Sequence, residues 1–376
     1  MKKTENYSED EKYMSVAIEL AKKGYGYTAP NPVVGAVIVK DGCIIGQGYH
    51  EKYGEPHAER NALASCSQSP EGATIYVTLE PCCHHGKQPP CTDAIIEAGI
   101  SRVVTGSGDP NPLVGGKGIR ILKDHGIQVT EHVLKEECDG LNPVFFHYIT
   151  KKTPYVVMKY AMTADGKIAA RTGDSKWITG ESARKKVQEL RHQYMGIMAG
   201  IGTVLADDPM LNVRIPGLKS PVRIICDSGL RISMDSQIVK TAKEYRTIVA
   251  YAGEHSGEGC KEAEEKEEQL HAAGVETVSV PDADGRVDLR KLMEYLGNQG
   301  IDSVLLEGGG TLNDAALSAG IVNEICAFIA PKIFGGAGAK TPVSGIGVAH
   351  PAEAVMLTLR QMETIGDDLM LRYSVD

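Results

Sequence analysis

The chain has 376 residues, more than one ordinary domain holds, and its 42% hydrophobic and 24% charged residues are the balance of a globular protein. A net charge of −9 and only 5% aromatic residues, with Trp177 the single tryptophan, count against a phosphate-backbone binder and a base-stacking platform, so small-molecule chemistry with no nucleic-acid partner is expected. No apolar run approaches the ~18 residues of a membrane helix, and the opening MKKTENYSEDEKYM lacks a signal peptide's apolar core, so a cytoplasmic protein without membrane contact is expected.

Ser8 and Glu11 form a capping-box pattern, and Met14, Ala17, Ile18 and Ala21 recur at helical spacing until Gly24. Residues 33–39 are β-branched and nearly continuous, Asp41-Gly42 suits the positive φ angles of a tight hairpin turn, and 43–45 resume the apolar pattern. Residues 58–64, 92–98 and 118–125 then read as helices alternating with strands at 73–79, 102–105 and 127–130. This rhythm predicts parallel strands beside an antiparallel hairpin, in a mixed sheet with helices on its faces.

The segment LNPVFFHYITKKTP changes the register, and Lys151-Lys152-Thr153-Pro154 reads as a linker between domains at 1–151 and 152–376. Beyond it, strands are expected at 155–160, 196–199, 222–226, 248–251, 303–306, 324–330 and 369–374. Helices are expected at 182–192, around KEAEEKEEQLHAAG, at 288–296 and at 312–319; the charged run 258–268 reads as a solvated helix face.

Nine cysteines, two of them adjacent at 82 and 83, read as thiols or ligands rather than as a disulfide framework. His57 and Glu59 open a predicted helix, Cys82 follows a predicted strand, and Cys91 precedes the next helix. Backbone N–H groups at such positions favour anions and are expected to hold both cysteines as thiolates. One imidazole and two thiolates make a zinc set that leaves a fourth position for water, with Glu59 placed to shuttle protons as in zinc deaminases. A closed structural zinc site, completed by Cys83, His84 or His85, is the competing reading.

The HAE triplet, TLEPCCHHGKQPPC, and the flanking TAPNPVVGAVIV, GQGYH and DPNP resemble the deaminase domain of the bifunctional riboflavin-biosynthesis deaminase/reductase family. Generic cytidine deaminases typically have two residues between their cysteines, whereas here residues 83–90 intervene, as in the riboflavin branch. The resemblance implies zinc on His57, Cys82 and Cys91, catalysis by Glu59, and a phosphoribosylated diaminopyrimidinone substrate. Asn31 is the candidate for the ring edge, and His50, His84 and Lys87 for the ribose phosphate.

KYAMTADGKIA, TGDSKWITG, GTVLADDPMLNVR, CDSGL and LLEGGGTLNDAAL resemble the reductase domain of the same family. The implied fold is α/β in two domains: a cytidine-deaminase-like α/β/α domain with a mixed sheet, then a dihydrofolate-reductase-like α/β domain. The resemblance implies NADPH near Ala161, Trp177, Thr203, Asp207, Ser228, Gly309, Gly310, Thr311, Leu312, Asn313, Asp314 and Ala315. It implies the sugar-phosphate substrate near Ser175, Arg191, Leu211, Arg214 and Glu307; no residue is compelled as the proton donor, and Glu307 is only a guess for it. A closed homo-oligomer is expected. The alternatives are a base-flipping nucleic-acid deaminase and a zinc-stapled binding module without enzymatic activity.

Overall fold

The computed structural model describes residues 8–112, 114–253 and 260–376, and the chain divides into two compact units, Met1–Lys151 and Lys152–Asp376. The first unit begins with α1 (Glu9–Ala21), entered through the Ser8–Glu11 capping box. β1 (Gly35–Lys40) turns at Asp41-Gly42, with φ of 51° and 73°, into antiparallel β2 (Cys43–Tyr49). There follow α2 (Ala58–Ala64), β3 (Thr74–Leu79), α3 (Cys91–Glu97), β4 (Arg102–Ser107), α4 (Lys117–Asp124), β5 (Gln128–Thr130), α5 (Lys135–Asp139) and α6 (Pro143–Lys151).

The sheet order is β2-β1-β3-β4-β5, with β1 antiparallel to both neighbours and β3, β4 and β5 parallel. β1 is buried on both faces, which explains its unbroken apolar run. Ala36 and Ile38 pack with Ala58, Ala62, Ile95 and Leu122 beneath α2, α3 and α4, whereas Val37 and Val39 pack with Met14, Ala17 and Cys138 beneath α1 and α5. A Cβ on Gly48 would stand 2.5 Å from the Ala62 nitrogen, so glycine in β2 is what lets α2 lie this close to the sheet. Glu80 carboxylate oxygens accept from the Gly116 and Ile119 nitrogens at 2.9 and 3.3 Å and cap α4.

The second unit runs β6 (Tyr155–Thr163), α7 (Glu181–Gln193), β7 (Gly196–Gly200), α8 (Ile201–Asp207), β8 (Val222–Cys226), α9 (Gln237–Lys240) and β9 (Thr247–Tyr251). It continues with α10 (Cys260–Ala272), β10 (Val275–Ser279), α11 (Leu289–Asn298), β11 (Ser303–Leu306), α12 (Gly310–Ser318), β12 (Val322–Ala330), β13 (Leu357–Ile365) and β14 (Asp368–Val375). The nine-stranded order is β10-β9-β8-β7-β11-β6-β12-β14-β13; the first seven are parallel, β14 runs antiparallel to β12, and β13 runs antiparallel to β14. The chain steps outward from β7 to β10 and then returns to insert β11 between β7 and β6. Strand order therefore reverses at the centre, where an open α/β sheet forms its ligand crevice at the carboxyl ends.

Arg223 of β8 is fully buried without a carboxylate and donates to Thr247 and Thr241 hydroxyls and to the carbonyls of Met210, Ile238 and Tyr245. Burial lowers its pKa to about 10, still far above neutrality, so the cation ties the 210 loop to the sheet.

The expected linker is in part helix: α6 runs to Lys151, with Pro143 in its first turn, where a missing N–H costs nothing. α5, α8, α9, β10 and β13 were not expected from the sequence. Part of the charged run, residues 258–259, lies outside the described residues; the rest is in α10. Among the described residues no helix is long and apolar enough to cross a membrane, and the eight described cysteines are free thiols.

Candidate active sites

His57 is the N-cap of α2, Cys91 opens α3, and Cys82 lies just past β3. Their ligand atoms lie within 4.8 Å of one another: His57 Nδ1 stands 3.5 Å from Cys82 Sγ and 3.4 Å from Cys91 Sγ. Among the described residues no fourth His, Cys, Asp or Glu joins the group, so neither Cys83, His84 nor His85 closes it. The donors fit zinc in chemistry and number, with one tetrahedral corner not taken by protein.

The backbone N–H of Cys91 donates to Cys82 Sγ at 3.4 Å, the expected helix-terminus contact. The Cys91 thiol, against the penalty of burial and helped by His57, holds Cys82 at about 4. Cys91 is instead pushed well up by its bond to Cys82 and by burial. Protein groups alone favour one thiolate of the pair, because the second negative charge would be buried against the first. A dication supplies what the second needs.

Glu59, in the first turn of α2, is buried and lines the same cavity of about 370 Å³ as His57 and Cys82. Burial first, and then the Cys82 thiolate, push its carboxyl up to about 7. Asn31, His50, His84 and Lys87 line this cavity as well. His50 Nδ1 faces the Pro56 carbonyl at 3.1 Å, so that nitrogen carries the hydrogen, and burial lowers the ring's pKa and keeps it neutral. Its Nε2 then accepts from Asn31 Nδ2 at 3.2 Å, which leaves the Asn31 oxygen as the cavity-facing acceptor. His84 Nδ1 is buried without a hydrogen-bond partner, and Lys87 Nζ lies 4.1 Å above the Tyr53 ring.

Sequence reasoning missed Asp109, which burial pushes up to about 6, and the α6 side chains Phe145, Tyr148 and Ile149, all in the same cavity. The signals are in the sequence: Asp109 opens the DPNP motif, and Phe145, Tyr148 and Ile149 have the i, i+3, i+4 spacing of one helix face.

In the second unit the candidate residues gather around the strand reversal. Thr203 and Asp207 lie on α8 after β7, Ser228 follows β8, Glu307 and Gly308 to Gly310 follow β11, and Ala161 is in the carboxyl-terminal half of β6. α12 starts at an uncapped Gly309, leaving its first N–H groups for an anion, and a Cβ on Gly309 would meet only Thr203 Oγ1, at 3.8 Å. Asn313 Nδ2 donates to the Pro342 carbonyl at 2.8 Å, while its buried Oδ1 has no partner. This open glycine turn, bare helix end and orphaned acceptor fit a dinucleotide. Thr311, Leu312, Asp314 and Ala315 continue the helix; Trp177 is 58% exposed under the Arg184 guanidinium, and Lys176 beside it approaches Asp207 at 3.7 Å. Ser228 Oγ accepts instead from the Val287 nitrogen at 3.2 Å.

Arg191 grips Glu307 through Nε and Nη2 at 2.7 and 3.1 Å and donates through Nη1 to the Asn212 carbonyl at 3.1 Å. Lys159 Nζ, missed in the sequence, approaches Glu307 at 3.6 Å. Burial alone would raise the Glu307 carboxyl, but Arg191 and Lys159 overcome it and hold Glu307 at about 2. Held so, Glu307 stands as a carboxylate near neutral pH, which counts against a proton-donor role. Leu211 is buried with φ of 50°, Ser175 is half-buried, and Arg214 is exposed, with no ion pair among the described residues.

Two family models match the chain: the cytidine and deoxycytidylate deaminase zinc-binding region over residues 7–107 and the RibD C-terminal domain over residues 154–371. The riboflavin biosynthesis protein RibD of Actinobacillus pleuropneumoniae is 56% identical over 96% of this chain and 94% of its own, and that of Escherichia coli 40% identical over 96% and 98%. Among solved structures, Acinetobacter baumannii RibD aligns with a TM-score of 0.85 at 36% identity, covering 98% of this chain and 99% of its own. A Thermotoga maritima diaminohydroxyphosphoribosylaminopyrimidine deaminase/5-amino-6-(5-phosphoribosylamino)uracil reductase aligns at 0.84 and 39%, with the same coverage.

Proposed function

The chain belongs to the RibD family, the bifunctional deaminases and reductases of riboflavin biosynthesis, and from this we propose how its own residues divide the two reactions. The first unit deaminates a phosphoribosylated diaminopyrimidinone, and the second reduces the ribosyl group of the product to a ribityl chain.

His57, Cys82 and Cys91 would hold zinc, and the chemistry it would supply is a water acidified to a pKa of about 7. Glu59 carries the two protons of the attacking water in turn, the first to the ring nitrogen as the C–O bond forms and the second to the amine as the C–N bond breaks, so water enters, ammonia leaves and Glu59 ends as it began. A carboxyl near 7 suits both halves of that exchange, and a dication nearby draws it lower. The Asn31 oxygen, fixed by His50, accepts from a ring N–H; His84 Nδ1 and the Lys87 ammonium take the sugar and phosphate. The observation that carries this reading is that His57 and Cys82 of the His-Cys-Cys cluster, Glu59 and the oriented Asn31 line one cavity.

NADPH supplies the hydride delivered to the ribose C1′. The N–H groups of Gly310, Thr311 and Leu312 and the Thr203 hydroxyl receive its phosphates, the Asn313 N–H being already given to the Gly309 carbonyl; Ala161, Trp177, Asp207, Ser228, Gly309, Asn313, Asp314 and Ala315 complete that subsite. Leu211 and Ser175 border the sugar phosphate and Arg214, with its uncommitted guanidinium, binds it bidentately. Glu307 orients the ribose as a fixed carboxylate, with Arg191 as its clamp and remaining donor. Lys159, rather than Glu307, delivers the proton to the opening ring oxygen.

The protein works in the cytoplasm on small molecules, not nucleic acid, and as a homo-oligomer. β13 supports the last point, being an edge strand exposed on both faces, with Leu359 and Met362 bare.

Glu59→Gln should retain one zinc per chain, release no ammonia from the diaminopyrimidinone, and still oxidise NADPH when given pre-deaminated substrate. Full ammonia release by this variant would remove Glu59 from the mechanism.

A further inference from the structure

The geometry points to α6 as the binding wall that seats the substrate in the deaminase cavity, with Phe145 and Tyr148 taking the flat face of the aminopyrimidine and Ile149 its sugar-linked edge. This rests on the deaminase reading of that cavity and adds a part to it. Phe145, Tyr148 and Ile149 share one face of the helix, and all three line the cavity that Glu59, His57 and Cys82 also line. α6 has no buried residue, although Val144, Phe145, Phe146, Tyr148 and Ile149 are five of its nine. A planar ligand on this face would cover apolar area that the protein's own packing leaves half-open.

The wall is set at a fixed place. Asn142, immediately before the helix, is 4% exposed, accepts from the Val33 nitrogen at 2.8 Å and donates to the Val33 carbonyl at 2.9 Å. Those two bonds tie the start of α6 to Val33, two residues beyond Asn31, so the apolar wall is anchored beside the ring-edge acceptor. On another side of the cavity Lys87 lies over Tyr53, and Gln88 donates to the Gly54 carbonyl at 2.9 Å. A cation and an aromatic face around one cavity suit a planar base carrying a phosphorylated sugar. The match to the generic deaminase zinc-binding region stops at residue 107, so α6 lies outside that core. The wall is therefore an addition able to distinguish this pocket from those of simpler deaminases.

The test uses the full chain with zinc, following ammonia release from the phosphoribosylated diaminopyrimidinone and, in parallel, NADPH oxidation on pre-deaminated substrate. Phe145→Ala and Tyr148→Ala should each raise KM roughly ten- to a hundredfold, the scale of losing a base-stacking ring, with kcat within about twofold and zinc content and NADPH oxidation unaltered. An unchanged KM in a zinc-loaded variant overturns the wall, as does a fall in kcat alone, which would place these rings at the reacting atoms. Should either alanine variant lose zinc or NADPH oxidation, Phe145→Leu and Tyr148→Leu keep the bulk without the flat face. Those should still raise KM several-fold, and no rise overturns the proposal. Failure of the parent protein to release ammonia would instead strike the deaminase reading itself.

Discussion

Glu307, just past β11, carries two cations on one carboxylate, and this triad contributes to the stability of the second unit in acid. Its pKa of about 2 lies below the ordinary value of 4.5, so ionisation favours the folded state at every pH above about 4.5, and that gain drains away as pH falls towards 2. Glu307→Gln leaves Arg191 and Lys159 buried and unpaired and should destabilise the second unit by about 3–5 kcal/mol at neutral pH. Urea unfolding at a series of pH values should show the gap between parent and variant narrowing between 4.5 and 2; a gap that stays flat would mean that packing, not charge, is lost. Neither this pairing nor the Asn31–His50 bond was legible in the sequence, because each joins residues whose nearness depends on the finished sheet. His57, Glu59 and the cysteines were legible, since zinc chemistry restricts which side chains can stand together.

The turn into α12 separates two kinds of glycine. A Cβ on Gly308 would stand 2.7 Å from Asn313 Oδ1, whereas one on Gly309 would point into open space beside Thr203. Gly309→Ala should therefore leave the thermal midpoint within about a degree or two while raising the KM for NADPH at least several-fold, because the new methyl group stands where phosphate must approach. Equal cofactor affinity in parent and variant would move the dinucleotide away from this helix end. Elements whose sequence carries its own punctuation were legible: the Asp41-Gly42 hairpin, the capped α1 and the uninterrupted β1. α6 was not, because Lys151-Lys152-Thr153-Pro154 reads as a linker and drew the preceding aromatic residues into it. β13 was not, because it is exposed on both faces and exists through its pairing with β14, so no burial period marks it.

At the scale of the whole molecule, β13 presents Leu359 at 52% and Met362 at 66% exposure along an edge of the nine-stranded sheet. Leu359→Glu combined with Met362→Glu should shift the mass measured by light scattering to a smaller species, since two carboxylates cannot be buried cheaply against a second copy. An unaltered mass, if larger than one chain, would place the contact on another surface. The sheet's strand order also carries a consequence for how the protein is made. β6 gains its only two neighbours, β11 and β12, from chain made some 140 residues later, so during synthesis it must wait, unpaired, for the middle of its own sheet. The first unit closes its sheet by residue 130 and faces no such delay, so a ribosome stalled midway through the second would carry one finished fold and one with a gap at its centre rather than at its rim.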